Sequence, residues 1–198
     1  MRTAFEALLR SELILEISGN GDLRVKEDDA SAALKDLLIQ RVPPGSVAFE
    51  LDHAPKGELK RRLKNAFSQL SCLINGEHAK ANKSCDFVIV SPGVERSKVI
   101  LGDLKSKNPK KSDCSAQLRN SEIFIEFIFR LLAEYHGQTV VPEFRKVVFF
   151  VVEPIKVKLP TQLRNSRPPE VHDGVTYFPV VLGGRNNSHA TVAYPLFS

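Results

Sequence analysis

Asp103-Leu104-Lys105 sets an acid and an ammonium two residues apart, and the chain has one other acid-x-Lys triplet, Glu58-Leu59-Lys60. With 23 acidic residues among 198, the bare pattern is expected by chance. Secondary structure separates the two. Glu58 to Lys60 falls in a helical pattern, where residues two apart point to different sides. Asp103 to Lys105 ends a β-rich run, where positions two apart share a face. That run, Lys98 to Lys105, follows Asp86 to Val90 across Ser91-Pro92-Gly93, and two β-rich segments bracketing a Pro-Gly turn predict an antiparallel hairpin. Centring the turn at Val94 and Glu95 sets Asp86 directly opposite Asp103, with Cβ atoms about 5 Å apart. Carboxylates that close repel unless a cation lies between them, and all-oxygen ligands favour Mg²⁺ or Mn²⁺ over zinc. A slip of one residue in register would turn Asp86 to the other face.

The elements that must carry this hairpin are readable from pattern. Ala4, Leu8, Leu9, Leu13, Ile14 and Ile17 predict a helix over 4–17, and Leu34, Leu37, Leu38 and Ile39 a second one starting at Asp28 or Ser31 and ending before Pro43-Pro44-Gly45. Together they form a small helical N-terminal layer, residues 1–45. The α/β core spans 46–153. It comprises a strand over Ser46 to Leu51, a helix from Gly57 to Ile74, the hairpin, a long apolar helix from Ser115 to Tyr135 closed by His136-Gly137, and a strand over Lys146 to Val152. Residues 154–198, rich in Pro and Gly, read as loops with strands near Thr176 to Leu182 and Thr191 to Tyr194, packed on the core of a single domain.

Composition is that of one ordinary globular domain, 42% hydrophobic and 26% charged, long enough to hide roughly 70% of the surface the open chain exposes. The longest apolar run, Val147 to Val152, is far short of a bilayer span, so no membrane association is expected. The N-terminus lacks a signal-peptide pattern, and three cysteines at no close spacing suit a reducing, cytoplasmic location. The net charge of +5 is uneven. Residues 1–50 carry 6 basic and 9 acidic side chains, 51–111 carry 13 and 6, and 112–198 carry 9 and 8. A positive field concentrated in the middle third suits phosphate neutralisation, and equally a solvated lysine face.

Asp86 at one strand, Asp103-Leu104-Lys105 at the end of the next, then a helix and an apolar strand resemble the PD-(D/E)xK nuclease superfamily over roughly residues 46–153. The resemblance implies a restriction-endonuclease-like fold, a mixed central sheet flanked by helices, with Glu77 to Ser84 or Ser46 to Leu51 supplying the third strand before the long helix. It implies Asp86 and Asp103 as ligands of Mg²⁺ or Mn²⁺, the Leu104 carbonyl as a further ligand, and Lys105 as the group that positions the attacking water. Glu58 would complete the metal site, with Glu50 and Glu77 as substitutes, and Gln117 resembles a glutamine near the scissile phosphate. Lys107, Lys110, Lys111 and Arg119 are then expected to hold flanking phosphates without reading sequence. The implied activity is that of a hydrolase, a metal-dependent endonuclease of weak sequence specificity, favouring DNA over RNA. The alternatives are a non-catalytic nucleic-acid-binding or scaffold subunit and an RNA endonuclease on the same fold. A protein partner or a homodimer restraining the activity is also expected.

Other candidates have simpler readings. Cys72, His78, Cys85 and Cys114 lack the short-spaced pair of a zinc site and read as buried thiols, and Cys114 has no local support as a nucleophile. His172-Asp173 reads as an exposed turn. Phe124, Phe127 and Phe129 with Ile123, Ile125 and Ile128 wrap most of a helix, which predicts deep burial. Gly183-Gly184-Arg185 lacks the strand and helix of a phosphate loop.

Overall fold

The computed structural model describes residues 1–27, 31–52, 83–107, 109–152, 168–183 and 188–198. The chain opens with α1 (Arg2–Leu8), a single 3₁₀ turn at Ser11–Leu13, β1 (Ile14–Leu15), β2 (Leu23–Lys26), β3 (Asp36–Gln40) and β4 (Val47–Glu50). It continues through β5 (Phe87–Ser91), β6 (Arg96–Lys105), α2 (Lys111–His136), β7 (Val141–Val151), β8 (Glu170–His172), β9 (Val175–Val180) and β10 (His189–Ala193). Among the described residues seven strands form a mixed sheet in the order β1-β4-β5-β6-β7-β9-β8, and β10-β3-β2 form a second sheet. From β1 to β6 neighbours are antiparallel, β6, β7 and β9 run parallel, and β8 returns antiparallel. The long helix α2 is the crossover that a parallel β6/β7 pair requires.

The hairpin runs in the predicted register, pairing Phe87 with Gly102 and Ser91 with Lys98. Phe87 to Val90 and Val99 to Leu101 are apolar without interruption because each face meets a different layer. Val88, Val90, Val99 and Leu101 pack with Phe5 of α1 and Leu118, Ile125 and Leu132 of α2. Phe87, Ile89, Ile100 and Leu104 pack instead with Leu37 and Ile39 of β3 and Val192 of β10. The protein is thus layered as helices, large sheet and small sheet.

Gly102 is where the second of these cores is tightest. The Phe87 ring lies across it, so a Cβ built there would stand 2.0 Å from the ring's Cζ, nearer than any real contact. Gly102→Ala is expected to destabilise the protein by about 2–3 kcal/mol in urea titration, through overpacking that a buried ring cannot relieve. Phe87→Leu in the same chain should recover part of that loss, and strictly additive losses would show the two sites to be independent.

The N-terminal layer differs from expectation. The helix over 4–17 stops at Leu8, and the apolar stretch at Leu34 to Ile39 is strand, not helix. Ile14, Leu15, Leu37 and Ile39 lie in runs of two to five residues, too short for periodicity to distinguish helix from strand. Pairing decides them: β1 adds to β4, and β3 lies between β2 and β10. The boundary at 45 therefore cuts across one sheet, as does that at 153, since β9 pairs with β7. His172 and Asp173 stand at an exposed turn, as expected, the one that joins β8 to β9. The C-terminal strands fall near their predicted places. The long helix ends as predicted, at Gly137 with φ 63, a left-handed cap that glycine adopts without steric penalty. Its burial does not match. Ile125, Ile128 and Phe129 are buried, but Ile123 and Phe127 face outward. Among the described residues, no helix is long and apolar enough to cross a membrane.

Candidate active site

Continuing the hairpin register by one pair places Asp86 opposite Asp103, on the face that α2 covers. The Asp86 N–H donates to the Gly102 carbonyl at 3.0 Å, on the partner of Phe87 rather than on Asp103, and so ties the aspartate to β6 just outside the paired strand. The two carboxyl groups lie close enough for each to bear on the other's ionisation. One hydrogen bond and one ion pair from the following strand residues then fix them. The Leu104 N–H donates to Asp86 Oδ2 at 2.5 Å, and the Lys105 ammonium lies 2.8 Å from Asp103 Oδ2. Asp103 is fully buried, whereas Asp86 and Lys105 retain some exposure and mark the mouth of the site.

The start of α2 supplies the rest of the support. Gln117 Nε2 donates to Asp103 Oδ1 at 3.1 Å and also to the Ser84 carbonyl. One turn further, Ser121 accepts from the Cys85 N–H at 2.7 Å, and Asn120 donates to the Lys83 carbonyl at 3.5 Å. Positions 117, 120 and 121 share one helix face. That face grips the backbone of residues 83–85 and so sets where Asp86 enters β5. Ser106 accepts from the Ala33 N–H at 2.8 Å, tying the far end of β6 to the segment before β3.

Electrostatics follows from this crowding. Burial, and then the Asp103 charge, push the Asp86 carboxyl well above the usual carboxylate range. Burial raises Asp103 too, although Lys105 holds it back. Lys105 is lowered by burial, but the two aspartates outweigh that and leave it above its ordinary value. Burial and mutual repulsion therefore favour protonation of the pair, whose charge a divalent ion would otherwise balance. Asp52 and Glu27 add negative field. Partial burial, then Glu27 and Asp103, raise the Asp52 carboxyl. Neither residue was a sequence candidate. Asp52 had a signal available, since it lies two residues past β4 and the Leu51 N–H donates to the Asp86 carbonyl at 3.2 Å.

The expected site residues divide unevenly. Asp86, Asp103, Lys105 and Gln117 come together, with the Leu104 backbone beside them. Glu58 and Glu77 lie outside the described residues, as do Cys72, His78 and the helix expected from Gly57. Glu50 pairs with Phe87, so it belongs to the face that meets the second sheet, away from the aspartates. Of the four cations expected to hold phosphates, Lys107 and Arg119 are exposed. Lys110 is paired with Asp113 at 3.3 Å. Lys111 is paired with Glu170 and lies 5.5 Å from the centre of the Tyr177 ring, which makes it a tether between α2 and β8 rather than an open phosphate ligand. Cys85 and Cys114 are buried thiols, the latter pushed up to about 11 by burial.

An all-oxygen donor set with one carboxylate at the mouth fits a hard divalent cation, and Mg²⁺ commonly takes only one or two carboxylates, with water and phosphate completing its shell. Among the described residues, no three His, Cys, Asp or Glu side chains are gathered as a complete metal cage. The fold and site together define an α/β protein with a seven-stranded mixed sheet and a carboxylate pair beside an ammonium. No protein-family model, no curated protein and no solved structure matches the chain.

Proposed function

We propose that the protein is a metal-dependent nuclease of the restriction-endonuclease-like, PD-(D/E)xK type, hydrolysing phosphodiester bonds in DNA in preference to RNA. One observation carries this reading: Asp86 and Asp103 meet across an antiparallel hairpin with Lys105 bound to Asp103. The order of elements supports it, since β4, β5 and β6 precede α2 and β7 follows, with β4 supplying the third strand.

Asp86 and Asp103 would hold Mg²⁺ or Mn²⁺, with the Leu104 carbonyl as a further ligand. Bound there, the ion would stabilise charge on the phosphoryl oxygens and acidify a water. Lys105 orients that water by donating to it and adds positive charge where the phosphoryl group becomes most negative. Gln117 keeps Asp103 turned toward the mouth. Lys107 and Arg119 hold neighbouring phosphates, which positions a nucleic acid without reading its bases.

A second reading, a nucleic-acid-binding subunit without catalysis, is favoured by the lack of a third acidic ligand among the described residues. Incubation with plasmid, single-stranded DNA and RNA in Mg²⁺, Mn²⁺ or EDTA separates the two. Cleavage that EDTA stops and that Asp103→Ala reduces by about a hundredfold or more is expected. Salt-sensitive binding with no cleavage under any ion would establish the second reading instead.

A further inference from the structure

The outer face of α2 carries a row that the core does not use. Ile123, Phe127, Leu131 and Tyr135 are each four residues apart, so they form one continuous ridge along the helix. Ile123 is 62% exposed, Phe127 52% and Tyr135 72%, while Leu131 is half-buried. Phe124 lies beside the ridge, its ring centre 6.4 Å from that of Phe127. Contiguous exposed apolar side chains of this size mark interaction surfaces on globular proteins.

Charge along the flank of the ridge says what covers it. Glu126, Arg130 and Glu134 are also four apart and exposed, and they alternate in sign. Residues so spaced ordinarily pair within their own helix. Among the described residues no ion pair joins these three. A two-fold axis through the ridge makes the same row self-complementary. An antiparallel copy centred between Glu126 and Arg130 sets each glutamate against the other chain's arginine, and one centred between Arg130 and Glu134 does the same for that pair. Beside Arg130 a cavity of about 460 Å³ opens between the end of α2 and the start of β7, lined by Phe129, Ala133, Val140, Val141 and Pro142. It offers a socket for an aromatic side chain arriving from the opposite ridge.

We infer that the α2 ridge is a homodimer interface, its occupant a second copy of this chain packed ridge to ridge about a two-fold axis. Such an interface is isologous, each patch meeting itself. The two Arg119 side chains stand at the N-terminal ends of the paired rows, on the same helix as Gln117.

Sedimentation equilibrium of the full chain tests this. The parent is expected to be a dimer at about 10 µM, and Phe127→Glu a folded monomer with an unchanged circular dichroism spectrum. Arg130→Glu should weaken association by about tenfold or more, because like charges then face each other in either register, and Glu126→Arg should do so in the register centred between Glu126 and Arg130. Pairing Arg130→Glu with Glu126→Arg, or with Glu134→Arg, restores opposite charges in one of the two registers, and one of these doubles is expected to recover dimerisation. A parent that stays monomeric to about 100 µM overturns the inference, as does a dimer indifferent to Phe127→Glu and to both single reversals. Failure of both doubles to recover association overturns it as well. These measurements make no use of cleavage, so their failure leaves the nuclease reading where it stood.

Discussion

Asp86→Asn is expected to give a protein that melts at a higher temperature than its parent at neutral pH without divalent ions, and that cuts nothing. The parent must keep two carboxyl groups in contact, one of them fully buried, and ionising both places like charges together in a poorly solvated site. Asparagine preserves the shape. Its oxygen still accepts from the Leu104 N–H, and its uncharged amide faces Asp103 without a second negative charge. The gain should be about 1–2 kcal/mol, or roughly 2–8 °C for a chain of this size.

The pH dependence has a definite sign. An unfolded aspartate titrates near 3.9, while native Asp86 lies well above that. Between the two values the native state holds a proton that the unfolded state has released, so stability falls as pH rises through the window. The metal-free parent should therefore lose stability from about pH 4 upward until Asp86 ionises, and the variant should lose much less. Parallel melting curves for parent and variant across this range would refute the carboxyl contact. A stabilised protein that no longer cuts is the exchange expected where a site is built against the preference of the fold.

Lys105→Ala is expected to lower the single-turnover cleavage rate by about a hundred- to a thousandfold while folding is retained. Held above its ordinary value by Asp103 and Asp86 in spite of burial, the ammonium stays charged across the neutral range. It therefore acts as a donor and a positive charge, not as the base that takes the proton from water. Lys105→Gln, which keeps a donor but no charge, should recover only a small part of the rate. Removing the ammonium also leaves Asp103 buried without its counter-charge, so a lower melting point should accompany the lost rate. Full activity in Lys105→Ala would remove this residue from the mechanism.

The hairpin and its register were legible because a Pro-Gly turn between two β-rich runs leaves few ways to pair them, and parity then fixes which side chains share a face. Asp86, Asp103 and Lys105 follow from that alone. Gln117 came from resemblance, and only the structure gives the reason for its placement, since it bonds Asp103 and the Ser84 carbonyl at once. The N-terminal strands were not legible. Leu37 and Ile39 are strand residues because β10, some 150 residues later, lies parallel to β3, a partner that no local window contains. The outward turn of Phe127 was missed for a related cause. Composition shows that a helix is apolar nearly all round, but not how many sides its neighbours cover. Lys111 is a third case, its charge visible in sequence and its partner Glu170 visible only in space.

β6 is the fourth of seven strands, hydrogen-bonded to β5 on one side and to β7 along ten residue pairs on the other. Amides in such a position exchange with solvent only when the whole molecule opens. Asp103, which hangs from β6, is accordingly as durable as the protein itself. Any off-switch directed at it has to work from outside, by obstructing the approach or by withholding the ion.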